Sequence, residues 1–376
     1  MYTLENKQNH LTMRIATASS VPSQTPFAAR FRSRIYLFAD DLTGATDAAA
    51  AFLSAGHSVR VWTGVMASTT ASESVQAFNT ASRRLAPEAA ALAVFRAATG
   101  LSRESDALFF KKIDSAARGP LAAELLAAQR ALGAQAVILA PSFPAAGRTV
   151  NNGILEIQDV SGQLTRHELA SLFPIETRHL HASISRPDQL ASALASGKSI
   201  LLCDAVTQAD LEALAQAAAN LPGLLYAGSA GLAQAIASLD PACELLQPFP
   251  ASARTLVVAG TPHPVTKLQL DHLAAGHPAA QVLRVRFEAG DDALIRNQFN
   301  RYDPQALILT GGDTALLAAR ALNAHSFILH GEFAPGIPWG IVEGGRAQGR
   351  IVITKSGGFG TPITLNRILD TLAGQA

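Results

Sequence analysis

The chain has 376 residues, too many for one ordinary core and comfortable for two domains. Hydrophobic residues make up 48% and charged residues only 16%, which excludes disorder over most of it. A formal net charge of +1 supplies no overall field toward nucleic acid or an anionic membrane, and no apolar run nears the ~20 residues of a membrane span.

The neutral total hides a split. Residues 1–34 hold five basic residues and one acid, without periodicity, and read as a disordered tail or a misassigned start. Residues 35–250 hold 14 basic and 19 acidic residues, and residues 251–376 hold 11 and 9. These are two unequal bodies, 35–245 and 250–372, divided by the Pro-rich stretch near 240–253. The first opens with the strand IYLFA, the loop DDLTGATD, an Ala-rich helix and the strand SVRVW. The alternation continues: strand ALFFKK, helix from Pro120, strand AVILA, strand SILLC, helix QADLEALAQAAANL, strand LLYAG, helix GLAQAIASL. The second body repeats it with strands TLVVAG, ALILTGG and RIVITK, each followed by a helix. Strands alternating with helices predict an α/β fold: two doubly wound domains with mainly parallel sheets. Ligands then bind beyond the carboxyl ends of the strands, in the crevice between the domains. Cys203 and Cys243 are too few for a disulfide framework or a four-cysteine zinc site and read as small buried hydrophobes.

Polar clusters fall at those strand ends. Asp40 and Asp41 leave the first strand and face a helix start, with Thr43 and Asp47 following. One of them serves as a base on a hydroxyl, or one caps the helix and the other ends the strand. Lys111, Lys112, Asp114, Ser115 and Arg118 form the second cluster, and Arg118 has the fork that binds a carboxylate. A third loop, Pro141–Asn152, carries Arg148 and Thr149 for an anion, or is a rigid turn with a surface Arg. In the second body Gly260-Thr261, Gly311-Gly312-Asp313-Thr314 and Lys355-Ser356-Gly357-Gly358-Phe359-Gly360 end successive strands. Glycine turns opening helices let backbone amides approach phosphate, and three in one body read as a nucleotide cradle, with Lys355 to neutralise charge. His330-Gly331-Glu332 and the Pro335–Trp339 turn line the crevice or form a loop. There is no Walker loop, no dinucleotide fingerprint and no H-E-x-x-H zinc spacing, so no metal-ligating side chains are assigned.

Together ADDLTGATD, KKIDSAARG, APSFPAAGRTVNNG, YAGSAGLA, VVAGTPHPVTKLQL, TGGDTA, HGEFAPGIPWG and TKSGGFG, in this order, resemble the four-carbon acid sugar kinase family, often labelled type III effectors. The resemblance spans about residues 35–372. It implies an amino-terminal domain for the sugar acid and a carboxyl-terminal domain for ATP with Mg²⁺. The implied reaction phosphorylates the terminal hydroxyl of a threonate, erythronate or oxo-tetronate. Asp40 and Asp41 would be the catalytic pair; Lys111, Lys112, Asp114, Ser115, Arg118 and Arg148 would hold substrate. Gly260, Thr261, Gly311, Gly312, Asp313, Thr314, Lys355, Gly357, Gly358 and Gly360 would hold ATP. Ala116, Ala117 and Pro120 stand where the family pattern has Thr, Leu and Asn. The reading expects a cytoplasmic enzyme with no nucleic-acid or membrane partner and leaves a homodimer open. Its competitors are a secreted interaction protein using the same fold, and a nicotinamide-dependent oxidoreductase that the missing fingerprint disfavours.

Overall fold

A computed structural model describes residues 34–64, 71–101, 107–158, 162–173, 178–181, 184–195, 197–240 and 247–375. The tail 1–33 and Cys243 lie outside the described residues.

The first half begins with β1 (Ile35–Ala39), whose five residues are all buried, as a central parallel strand requires. Helix α1 (Leu42–Ala50) follows directly, then β2 (Val59–Trp62), β3 (Val75–Asn79), α2 (Pro87–Thr99), β4 (Leu108–Lys112), α3 (Leu121–Leu132) and β5 (Ala136–Ala140). A small antiparallel sheet, β6 (Arg148–Asn151), β7 (Ile154–Gln158) and β8 (Leu164–Glu168), projects from the β5 end. The Asp204 carboxylate anchors it by accepting from the Asn152 and Gly153 amides at 2.6 and 3.0 Å. Then come β9 (Arg178–His181), α4 (Pro187–Leu194), β10 (Ile200–Cys203), α5 (Gln208–Ala218), β11 (Leu224–Gly228) and α6 (Ala230–Ala237). Cys203 is buried and free, and burial pushes its thiol up to about 12.

The second half runs β12 (Thr255–Ala259), α7 (Pro264–Gly276), β13 (Gln281–Arg284), α8 (Asp291–Tyr302), β14 (Ala306–Thr310) and α9 (Gly312–Ala321). It closes with β15 (Ser326–Ala334), β16 (Ile337–Glu343), β17 (Ile351–Lys355) and α10 (Thr364–Leu372). The HGEFAPGIPWG stretch, left between crevice wall and loop by its sequence, is the hairpin β15–β16, turned at Gly336 with φ +76°.

That hairpin changes the architecture expected from sequence. The two doubly wound halves are not separate sheets. β15 pairs antiparallel with β2, giving one 14-stranded sheet in the order β13-β12-β14-β17-β16-β15-β2-β3-β1-β4-β11-β5-β10-β9. Apart from the three antiparallel pairings made by β15 and β16, its neighbours run parallel. Arg60 on β2 reinforces the join. It donates to Glu73 at 2.8 Å, to Ser326 on β15 at 2.8 Å, and to Glu343 on β16.

Helix α1 is buried on every face, because it sits where the halves meet. Its alanines allow α6, α9 and the sheet to approach closely. Thr46 and Thr354 share a buried 2.7 Å hydrogen bond across the junction. The carboxyl ends of β1, β4, β12, β14 and β17 are thereby set around one cavity.

Candidate active site

That cavity has a volume of about 770 Å³ and is lined from both halves. Asp41, Thr43, Gly44, Asp47, Lys112, Asp114, Ser115, Arg118 and Arg148 reach it from the first half. Thr261, Gly311, Gly312, Asp313, Thr314, Gly357 and Gly358 reach it from the second. Asp40, Lys111, Gly260, Lys355 and Gly360, the remaining residues expected at the site, do not line it.

Asp41 is both cap and wall. Its Oδ1 accepts from the Gly44 amide at 2.8 Å, closing the start of α1, and its Oδ2 accepts from Thr43 Oγ1 at 3.1 Å. Arg83 takes up the rest of the charge. Its guanidinium donates to Asp40 at 2.7 and 2.9 Å and to Asp41 at 2.8 and 3.0 Å, and Asp114 lies 3.5 Å away. Burial opposes the charge on Asp40, but Arg83 outweighs it and holds that carboxyl below its ordinary value. Lys111 and Lys112 end β4, and Arg83-Arg84 stands just past β3, both strands neighbours of β1. That basic pair was the available signal, but VQAFN, interrupted by Gln76 and Asn79, lacks the continuous apolar run that marks a buried strand.

The two lysines diverge because successive strand residues face opposite sides of the sheet. Lys112 turns to the cavity, its Nζ donating to the Ile113 carbonyl at 2.7 Å. Lys111 turns away. It is fully buried on the far face, with Nζ 2.8 Å from Glu124 on α3, so its charge is spent there and not on a ligand. Asp114 accepts twice from Arg118 at 2.7 Å, and Arg118 and Arg83 together outweigh burial to hold its carboxyl well below the carboxylate range. Arg148 has no carboxylate partner among the described residues: one Nη bonds the Ala146 carbonyl, and its Nε is buried without a partner. Burial, with Arg118 nearby, lowers its pKa. It is the cation most available to a ligand anion.

On the other wall, Gly311 sits at φ +94°, a conformation that strains any side chain, and releases the chain into α9. A methyl group on Gly312 would overlap the Asp41 carboxylate, and one on Gly357 would lie 2.7 Å from Thr261 Oγ1. These glycines let Asp41 and Thr261 pack directly on the backbone, and the start of α9 opens onto the cavity, the arrangement that receives phosphate. Thr314 Oγ1 is buried there without a partner. Lys355 is buried behind this wall. Its Nζ donates to the Ser356 and Phe359 carbonyls at 3.0 and 3.3 Å, so it holds the glycine turn in shape; burial lowers it to about 7. Gly260 packs against Thr314 and Val285, and Gly360 against Thr364, both behind the lining.

Four further side chains line the cavity. Arg84 bridges to Asp313 at 2.7 Å across the mouth, Phe143 and Phe359, from loops marked in the sequence, lie 6.1 Å apart, and Phe287, without a sequence signal, walls the second-half side. Among the described residues no three His, Cys, Asp or Glu side chains form a metal-holding group, and no helix is long and apolar enough to cross a membrane.

Two family models match the chain in succession. A family model described as a sugar-binding N-terminal domain matches residues 35–236, and one described as a nucleotide-binding C-terminal domain matches residues 292–365. The chain is 29% identical to a D-threonate kinase of Bordetella bronchiseptica, over 90% of this chain and 97% of the relative. It is 26% identical to a 3-oxo-tetronate kinase of Pseudomonas savastanoi, over 90% and 97%. A solved Salmonella typhimurium protein, described as a putative tRNA synthase, shares the fold with a TM-score of 0.69, at 19% identity over 89% of this chain and 98% of that one.

Proposed function

This chain belongs to the four-carbon acid sugar kinase family, and from that membership we propose that it transfers the γ-phosphoryl group of ATP to the terminal hydroxyl of a four-carbon sugar acid. The observation that carries the reading is the Asp41–Gly312 contact, which sets the polar wall of the first half against the helix start that opens the second-half wall. We assign the sugar acid to residues 35–245 and the nucleotide to 250–372.

Arg148 takes the substrate carboxylate through its uncommitted guanidinium, supported by Lys112 and Ser115. Arg118 is held by Asp114 and shapes the floor of the cavity. Asp41 fixes the seam, and Asp40 stands behind it as the second anchor for Arg83. The amides of Gly311–Thr314 and Gly357–Gly358 receive the phosphates, and Thr314 Oγ1 gains the partner it lacks in the free protein. Lys355 acts by shaping the Ser356–Gly360 turn. Mg²⁺ binds through substrate phosphates and one or two carboxylates and would accompany ATP. Asp313, at the helix start, is the carboxylate placed to hold it. When bound, the ion neutralises phosphate charge. An ATP-dependent step of this kind belongs in the cytoplasm.

A secreted interaction protein does not need carboxylates, cations and bare helix amides converging on one cavity. The test is ADP release by the purified chain with ATP, Mg²⁺ and D-threonate, D-erythronate and 3-oxo-tetronate. Release dependent on one sugar acid supports the reading; none above the substrate-free rate with any of them overturns it.

A further inference from the structure

The expected base pair, Asp40 and Asp41, is poorly placed to take a proton. Each oxygen of Asp41 already accepts two hydrogen bonds, from Gly44 and Arg83 and from Thr43 and Arg83. Both Asp40 oxygens accept from Arg83, and Asp40 does not reach the cavity.

Asp47 differs in every respect. It lies one helical turn beyond Thr43 and Gly44, on the same face of α1, and lines the cavity with them. Only 7% of it is exposed, yet no donor among the described residues hydrogen-bonds its carboxylate. Its oxygens open to the cavity, where a ligand hydroxyl can donate to them. The groups facing it are Lys112 from β4, Asp41 from the start of α1, and Glu332 from β15, with the Gly336 turn closing over it. We propose that Asp47 is the general base, accepting the hydrogen bond of the substrate's terminal hydroxyl and then its proton. Resting on the kinase reading, the step balances as follows. The hydroxyl proton passes to Asp47 Oδ, the hydroxyl oxygen bonds the γ-phosphorus, and the bond to the bridging oxygen breaks, its electron pair leaving on ADP. The charge environment agrees with this role: burial raises the Asp47 carboxyl to about 6, with Lys112 opposing and Asp41 adding to the rise. A base near neutrality is both ionised and able to hold a proton.

The test is the isosteric Asp47→Asn variant of the full chain, assayed by ADP release with the best sugar acid of the three-compound panel between pH 5 and 9. Wild-type kcat/KM should rise through an apparent pKa near 6, because the ionised form is the active one. The variant should lose about 100-fold or more in kcat and lose that limb, while KM for the sugar acid and affinity for ATP stay within a few-fold. Thermal unfolding at pH 8 should show the variant no less stable than wild type, which separates chemistry from misfolding. Because Glu332 is also raised, to about 7, Glu332→Gln is the control and should keep the limb. Retained kcat, a persistent limb, or a raised KM with kcat intact would each overturn the base assignment. Wild-type inactivity on all three acids instead sinks the kinase reading, and the inference with it.

Discussion

The Asp41 carboxylate lies so close to the α-carbon of Gly312 that no side chain fits between them. One residue caps α1 in the first half and the other opens α9 in the second. The contact is therefore the seam of the cavity; Gly312 is required for close approach, while Gly311 at φ +94° makes the turn.

Gly312→Ala should force the seam apart. Overpacking of this kind costs about 1–3 kcal/mol, and 1.4 kcal/mol is tenfold in affinity. Calorimetric titration with a non-hydrolysable ATP analogue should show binding weakened about tenfold or more, with the fold intact by circular dichroism. Unchanged affinity would remove the nucleotide from this helix start.

Arg83 is the counter-ion of the buried Asp40 and the half-buried Asp41. Arg83→Met leaves both unpaired, and breaking a buried pair costs about 3–5 kcal/mol. The melting temperature should fall by several degrees and turnover should vanish. Arg83→Lys keeps the charge but not the fork, and should recover part of the stability and little of the activity. A Met variant as stable as wild type would contradict the network.

Asp47 makes a stability prediction independent of catalysis. Its carboxyl titrates near 3.8 unfolded and about 6 folded. The folded state thus holds the proton more tightly, so the stability this group contributes is full below pH 3.8 and is lost as pH rises through 6. Asp47→Asn removes a burial cost on the order of 3 kcal/mol at pH 8 and almost none at pH 4. Denaturant titrations at the two pH values should show a gain only at the higher one. Equal effects would mean Asp47 is not buried in a charged state.

Arg148 and Arg118 should separate kinetically. A hydrogen bond to a charged group contributes about 1.5–3 kcal/mol, so Arg148→Met should raise KM for the sugar acid about tenfold to a hundredfold and leave nucleotide affinity alone. Arg118→Met removes the Asp114 partner and should act mainly on stability. The opposite pattern would exchange their roles.

The sequence made the α/β alternation legible because β1, β5, β11, β12 and β14 are continuous apolar runs ending at glycine or polar clusters. It also marked both walls of the cavity, since DDLTG, KKIDS and TGGDT each stand at such an end. It did not disclose the single sheet. That depends on the β15–β16 hairpin reaching β2, a long-range pairing with no local signature. Nor did it separate Lys111 from Lys112, whose opposite fates follow from the alternation of side chains on β4. Lys355 read as a phosphate ligand by type, whereas its burial and carbonyl partners make it the support of a turn. Arg83 escaped because a charge network is assembled by tertiary contacts and not by spacing.

Transfer to the terminal hydroxyl places the phosphoryl group on a methylene carbon and draws it from ATP. With ATP, Mg²⁺ and the preferred sugar acid, phosphorus NMR of the product should show a new phosphomonoester signal coupled to two methylene protons, in equal amount to the ADP formed. Inorganic phosphate alone, or a signal without methylene coupling, would contradict transfer to the terminal hydroxyl.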